Sequence, residues 1–593
     1  MTPSTPDMDL NAPELRARAV RAAQGQAPFD LLIEGGMVLD MVTGRQRRAD
    51  VGIVGPLIAS VHAPDPACCA KVRLDATGQI IVPGFIDTHM HVESSMVTPS
   101  EYAAAVVPRG VTTALWDPHE FANVMGESGL DYACRSVTGM ALRLLPLVPT
   151  CVPSAPGYEC SGGDFTPATV AKWLARGDIH GAAELMTMHA LLQGDARVSG
   201  IVGAGLASGK RVCGHARGLA GPQLQAFAAS GVETDHELTS AADLLARLEA
   251  GFTIELRGSH DHLLPEFARA LLELGELPQT VTLCTDDVFP DALTQKGGLD
   301  HVIRRMIACG LPPLWAYRAA TLNAATRIGR RDLGLVAPGR RADLVVLSDV
   351  HAVQASQVVA NGHVVAKDGI LTVAHPVQAP ALHDSMRIGP ITAADFEIPA
   401  KGPKARIATL SKPRFPEWGT RIVDVAQDRL VLPADMIRMG IINRHGAATP
   451  MRVAFLENWG TWRGAFATTV SHDSHNLTVF GQNAQDMAVA ATAVRDAGGG
   501  LAVASMGQVV ACLPLPICGL VSDRPLPEVA QGFATVQAAL DTLVDWHPPY
   551  LVFKALFGAS LVCNAGPRLS DLGLVDVFEG RVLKSCILQD GIS

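Results

Sequence analysis

The patterns of disulfide frameworks and zinc ribbons are missing from this chain. Its 12 cysteines include no Cys-x-x-Cys, and only Cys68 and Cys69 are adjacent, so neither a small stapled fold nor a thiolate metal site is written into the sequence. Reduced thiols in the cytoplasm are the simplest account. A basic stretch is missing too. Lys and Arg number 48 against 58 Asp and Glu, for a net charge of −10, which offers nothing to track a phosphate backbone and excludes nucleic acid in favour of a small-molecule partner. The first 28 residues carry Glu14, Arg16, Arg18 and Arg21 without the unbroken apolar run of a secretory signal. The most apolar later stretch, MALRLLPLVPTCVP (140–153), contains Arg143 and three prolines, which argues against a membrane span. A phosphate-loop pattern is also lacking.

What is present is a long, well-packed chain. With 593 residues, 48% of them hydrophobic and 18% charged, it exceeds one ordinary core and is expected to divide into two or three domains. After an N-terminal extension (1–28), short strand-like runs fill 29–82 and return at 338–375, which suggests a small composite β domain built from two separated pieces. Between them, over 83–337, strand-like and helix-like runs alternate: VTTALWD then ANVMGESGLDYACRSV, KRVCGHA then AGPQLQAFAAS. Alternation over about 250 residues fits an α/β fold of the (β/α)8 TIM-barrel type, whose chemistry sits at the C-terminal ends of the strands. A Pro- and Ala-rich linker is expected over 376–404, followed by a C-terminal α+β domain over 405–593.

The run QIIVPGFIDTHMHV (79–92) reads as one buried strand that turns polar at Asp87. Residues two apart on a strand share a face, so His89 and His91 point the same way. A pair of converging imidazoles suits a metal ion, and it also suits two strand histidines bonded to backbone carbonyls. The same strand-end test picks out Glu184 after GAA, His215 after KRVCG, His236 after GVETD, and Asp286 after VTLCT. Each alone is an ordinary polar loop residue. Four histidines and two acids at the strand ends of one barrel could hold two divalent ions, with a carboxylate bridging between them.

These residues, with the words around them, resemble the adenine deaminase family of the binuclear amidohydrolase superfamily. The matching stretches are PGFIDTHMHVESSM, WDPHE (116–120), GHARGL (214–219), TDHE (234–237), CTDD (284–287), TLNAA (321–325) and GRRADLV (339–345), then RHG (444–446), SHDSHN (471–476), LPLPICGLVSD (513–523) and GLVDV (573–577). The resemblance implies that His89, His91, Glu184, His215, His236 and Asp286 ligate two divalent ions, Mn2+ or Fe2+ with Zn2+ possible. No lysine stands between Lys172 and Lys210, so the carbamylated lysine of hydantoinase-like relatives has no counterpart. Gly218 occupies the position where the mononuclear deaminases need Glu after His215.

The activity implied is hydrolysis of adenine to hypoxanthine and ammonia in purine salvage, through a hydroxide bridging the two metals. Glu184 is expected to carry a proton to the ring, Asp286 to pass one to the departing amine, and His119 to orient or polarise the base. Asp117, Glu120 and Asp287 are expected to bind the purine. A cytoplasmic homo-oligomer, dimer or tetramer, is expected, with no membrane partner. His472, Asp473 and His475 suggest a lid over the barrel mouth, another metal site, or a plain hydrogen-bonded loop. Two departures bear on the pocket: Arg217 stands where the family commonly has Pro, and Val288 and Phe289 place apolar surface where it commonly has a charged pair. Another aminopurine or a cyclic amide is the alternative substrate, and a catalytically silent barrel is the alternative of another class.

Overall fold

The computed structural model describes residues 9–374, 381–413, 415–447, 449–546 and 552–588. The run expected as one strand is in fact two. Ile80–Pro83 belongs to a nine-stranded sheet with strands from 29–75 and 344–371, pairing antiparallel with Leu344–Leu347. Phe85–Met90 (β1) starts a separate parallel set. The break falls at Gly84, where an added Cβ would lie 2.2 Å from the Thr112 hydroxyl; only glycine lets the two backbones approach so closely.

Seven further strands follow β1 in order: β2 (Val111–Trp116), β3 (Arg143–Pro146), β4 (Gly181–Leu185), β5 (Arg211–Gly214), β6 (Thr234–Asp235), β7 (Thr253–Arg257) and β8 (Val281–Cys284). β1 to β3 pair in parallel, as do β4 with β5 and β6 to β8. The gaps are bridged by Val148 against Ala182 and by the amide of Glu233 donating to the Val212 carbonyl at 3.0 Å. Met90 bridges to Asp286, whose amide donates to the His89 carbonyl at 3.1 Å, so the last strand meets the first. Helices lie between the strands and bury one stripe each. In Leu264–Leu274 the buried residues include Leu264, Phe267, Ala268 and Leu271, the spacing of one helical face.

A second nine-stranded sheet is drawn from 404–514. Helix Ala484–Asp496 covers it with Met487, Ala490, Ala491 and Val494 packed against Ala465, Ala467 and Val479. The segment expected as a linker behaves otherwise. Residues 375–380 lie outside the described residues, but Phe396 is buried in this same core and Ser385 accepts a 2.5 Å hydrogen bond from the Arg444 guanidinium. At the other end of the chain, Ala19 and Ala22 of helix Pro13–Ala23 pack on Phe29, Val54 and Leu57, so the extension is joined to the first sheet. Residues 1–8 of that extension lie outside the described residues. Among the described residues no helix is long and apolar enough to cross a membrane.

Arg143, read from the sequence only as an obstacle to a membrane span, fastens the parallel set to the first sheet. It is 4% exposed, and its guanidinium donates to Asp343 at 2.6 Å, to Thr113 at 3.0 Å and to Asn361 at 2.7 Å. Removing one partner of a buried pair leaves an uncompensated charge, which costs about 3–5 kcal/mol. Asp343→Ala is therefore expected to lower the stability by that amount in urea denaturation followed by tryptophan fluorescence. The double replacement Arg143→Met with Asp343→Leu should recover most of it.

Candidate metal centre

Six side chains converge where the parallel strands end. His89 is in β1 and His91 just past it, Glu184 is in β4, and His215, His236 and Asp286 follow β5, β6 and β8. All are buried, the most open at 6%. Glu184 stands at the centre. Its Oε2 lies 3.1 Å from His236 Nε2, 3.9 Å from His89 Nε2 and 4.0 Å from His215 Nε2. Its Oε1 lies 3.8 Å from His91 Nε2 and 3.7 Å from His119 Nδ1. Asp286 Oδ1 is 3.6 Å from both His89 Nε2 and His91 Nε2. Asp286 adopts φ 57°, a conformation that Asp tolerates better than most residues, and it turns there just where its amide closes the ring.

These residues fit divalent ions. Two atoms each about 2.1 Å from a shared ion stand about 3.0–3.5 Å apart, close to the spacings found. His89 Nε2 is buried without a hydrogen-bond partner although two carboxylates face it. An imidazole nitrogen left in that way is satisfied by a cation between it and the acids. Mixed imidazole and carboxylate donors suit zinc, iron and manganese.

A layer behind these six side chains holds them in place, and sequence reasoning missed it. Arg257 donates to Asp286 Oδ2 at 2.6 Å and Ser259 to the same oxygen at 2.9 Å, which leaves Oδ1 to face the imidazoles. Burial pushes the Asp286 carboxyl up, but the Arg257 charge and the His89 and His91 contacts outweigh it and hold it well below the usual carboxylate range. Glu255 Oε2 stands 3.8 Å behind His236 Nδ1, with Arg327 donating to its other oxygen at 3.2 Å. Arg247, fully buried, pairs with Asp235 and Asp243 and donates to the Ala216 carbonyl at 2.6 Å, joining the loop after His215 to the residue before His236. The available signal was TIELR (253–257), where an acid and a base two apart share one face of an otherwise apolar strand.

The remaining expected residues separate. His119 lines the cavity beside Glu184. Asp117 does not line it: Oδ1 accepts from the His119 amide at 3.1 Å, and Oδ2 accepts from the Glu184 amide at 3.3 Å and stands 3.0 Å from His119 Nδ1. Asp117, expected to bind the purine, is instead placed behind His119 and Glu184, in contact with both. Asp287 lines the cavity and accepts from Ser94 at 2.5 Å. Glu120 lines it too, but its oxygens face His472 Nδ1 at 3.2 Å and His475 Nε2 at 3.9 Å. Arg217 pairs with Glu237 at 3.0 Å at the cavity edge. Of the apolar pair, Val288 lines neither this cavity nor the next, while Phe289 faces an outer cavity of about 510 Å³ and packs against Phe533 and Phe557. Residues far along the chain complete the inner cavity: His472, Asp473, Leu561 and Asn564.

The amidohydrolase family profile matches residues 80–365, and that of the adenine deaminase C-terminal domain matches residues 416–581. Adenine deaminase 2 of Rhizobium etli is 57% identical over 584 residues, 98% of each chain. Adenine deaminase of Serratia proteamaculans is 47% identical over 570 residues, 95% of each chain. Among solved structures, atrazine chlorohydrolase TrzN from Arthrobacter aurescens TC1 complexed with zinc matches at 17% identity and a TM-score of 0.42, over 58% of this chain and 97% of that one.

Outer-layer partners of metal ligands are commonly worth about 10–100-fold in affinity or activity. Arg257→Met should therefore weaken retention of Mn2+ by that factor in competition with a chelator, with the circular dichroism spectrum unchanged. Unchanged retention would show that Asp286 needs no support from Arg257.

Proposed function

The chain belongs to the adenine deaminase family of the amidohydrolase superfamily, and we propose that it hydrolyses adenine to hypoxanthine and ammonia in purine salvage. The observation that carries this reading is Glu184, one carboxylate set among imidazoles on both its oxygens, at the wall of a cavity at the strand ends. We read the closed set of parallel strands as a (β/α)8 TIM-type barrel, the first sheet as a composite β domain, and 405–593 as an α+β domain that roofs the mouth. His472, Asp473, Leu561 and Asn564 of that domain line the inner cavity.

His89, His91, Glu184, His215, His236 and Asp286 hold two divalent ions, Mn2+ or Fe2+ by preference and Zn2+ as the alternative. Ions bound there supply the acidity that brings water from its bulk pKa of 15.7 to about 7. The overall change forms a C6–O bond, breaks the bond from C6 to the exocyclic nitrogen, and returns the protons of water to the base and the departing nitrogen. Asp286 takes the proton from water and passes it to the leaving amine, since its Oδ1 faces the cavity while Arg257 and Ser259 fix Oδ2. Glu184, which lines the cavity 3.7 Å from His119, is the group expected to carry a proton to the ring. His119, fixed from behind by Asp117, is the group placed to polarise a ring nitrogen. Asp287 accepts a hydrogen bond from a purine N–H. Twelve free cysteines are consistent with a reducing cytoplasm.

Protein reconstituted with Mn2+ should release one ammonia and form one hypoxanthine per adenine consumed. Release of ammonia from another aminopurine but not from adenine, or turnover of a cyclic amide alone, would overturn the assignment. Asp286→Asn with its ions retained should lower kcat by about 10²–10⁴-fold, and a loss below tenfold would remove Asp286 from the proton path.

A further inference from the structure

Beside the first centre lies a second cluster of metal-binding side chains that the proposed reaction does not use. Glu120 comes from helix His119–Met125 at the end of β2, while His472 and His475 come from the SHDSHN loop more than 350 residues later in the chain. The ligating atoms of the three residues lie within 4.8 Å of one another. Glu120 Oε1 is 3.2 Å from His472 Nδ1, and Oε2 is 3.9 Å from His475 Nε2. Glu120 and His475 are 2% and 0% exposed, yet Glu120 Oε1 and His475 Nε2 have no hydrogen-bond partner. Asp473 lies alongside with Oδ2 buried and likewise unpartnered.

Simple ion pairing does not account for this arrangement. His475 Nε2 is too far from Glu120 for a hydrogen bond, and a buried polar atom left unmade costs about 1–3 kcal/mol. Several such atoms facing one point would destabilise the loop unless something satisfies them together. A divalent cation does so, because it accepts lone pairs from both imidazoles and charge from the carboxylate. His475 Nδ1 lies 3.2 Å from both the Thr469 carbonyl and the Ser471 amide, so the backbone fixes the ring from behind and leaves Nε2 toward Glu120. Two imidazoles and one carboxylate make a donor set that zinc accepts, with a fourth position open.

We propose that Glu120, His472 and His475 form an additional divalent-cation site, separate from the six-residue centre, that clamps the 471–476 loop onto the end of β2. It joins the roof to the barrel at the wall of the cavity, so its occupancy fixes the shape of the mouth. Glu120 is then a ligand and not a purine acceptor.

Zinc alone is the probe. Metal-free protein titrated with Zn2+ and desalted should hold three ions per chain by inductively coupled plasma mass spectrometry. Glu120→Gln and His475→Gln should each hold two, with adenine turnover still detectable. His236→Ala, which strikes the first centre, should lose zinc while keeping the ion that the Glu120 and His475 variants lose. Saturation of the unmodified protein at two ions, with adenine turned over, would overturn the additional site and leave the proposed function standing. Three ions in both Glu120 and His475 variants would also overturn it, by placing the third ion elsewhere.

Discussion

A carboxylate less than a tenth exposed, set among five imidazoles, is the constraint from which the rest of this structure follows. Glu184 lies within 4.0 Å of His89, His91, His119, His215 and His236. Bringing so many polar groups out of water is unfavourable unless their lone pairs are satisfied, and His89 Nε2 has no hydrogen-bond partner. Cations between the carboxylates and imidazoles satisfy them. The fold delivers the six residues from five strands spread over about 200 residues of sequence, and closure of the last strand on the first places Asp286 against His89. Parallel strands are suited to this, since every one of them ends on the same face.

Holding such a centre requires a second layer as ordered as the first. Arg257 and Ser259 choose which oxygen of Asp286 is free, Glu255 and Arg327 stand behind His236, and Arg247 ties two ligand-bearing loops together. Each of these groups is charged or polar, with Glu255, Arg327 and Arg247 buried and Arg257 and Ser259 half-buried, so each is stable only in company. The loss of one leaves its partner exposed to the same desolvation cost, which is why residues that touch no substrate are expected to matter for metal retention. The 471–476 loop obeys the same logic where Glu120 meets His472 and His475.

Much of this was readable from the residues alone, and the reasons are physical. Strand-end polarity picked out six residues that the structure brings together, because parallel strands of one closed set end on the same face and their terminal side chains converge. The alternation of strand and helix marked the α/β region, since the two periods differ. Other features were hidden. The break at Gly84 depends on the closeness of Thr112 on another strand, which no local pattern reveals. The packing of 381–404 into the last sheet rests on scattered residues such as Ser385 and Phe396. Asp117 looks like a substrate acid in WDPHE, and only its neighbours show that its oxygens are spent on His119 and Glu184.

The most direct test of this account is the anomalous scattering of crystals grown from Mn2+-loaded protein. It predicts two strong peaks flanking Glu184, one beside each carboxylate oxygen, with His91 and Asp286 near one and His215 and His236 near the other. A single peak at that position, or two peaks with Glu184 turned away from both, would contradict the claim that this carboxylate organises the centre.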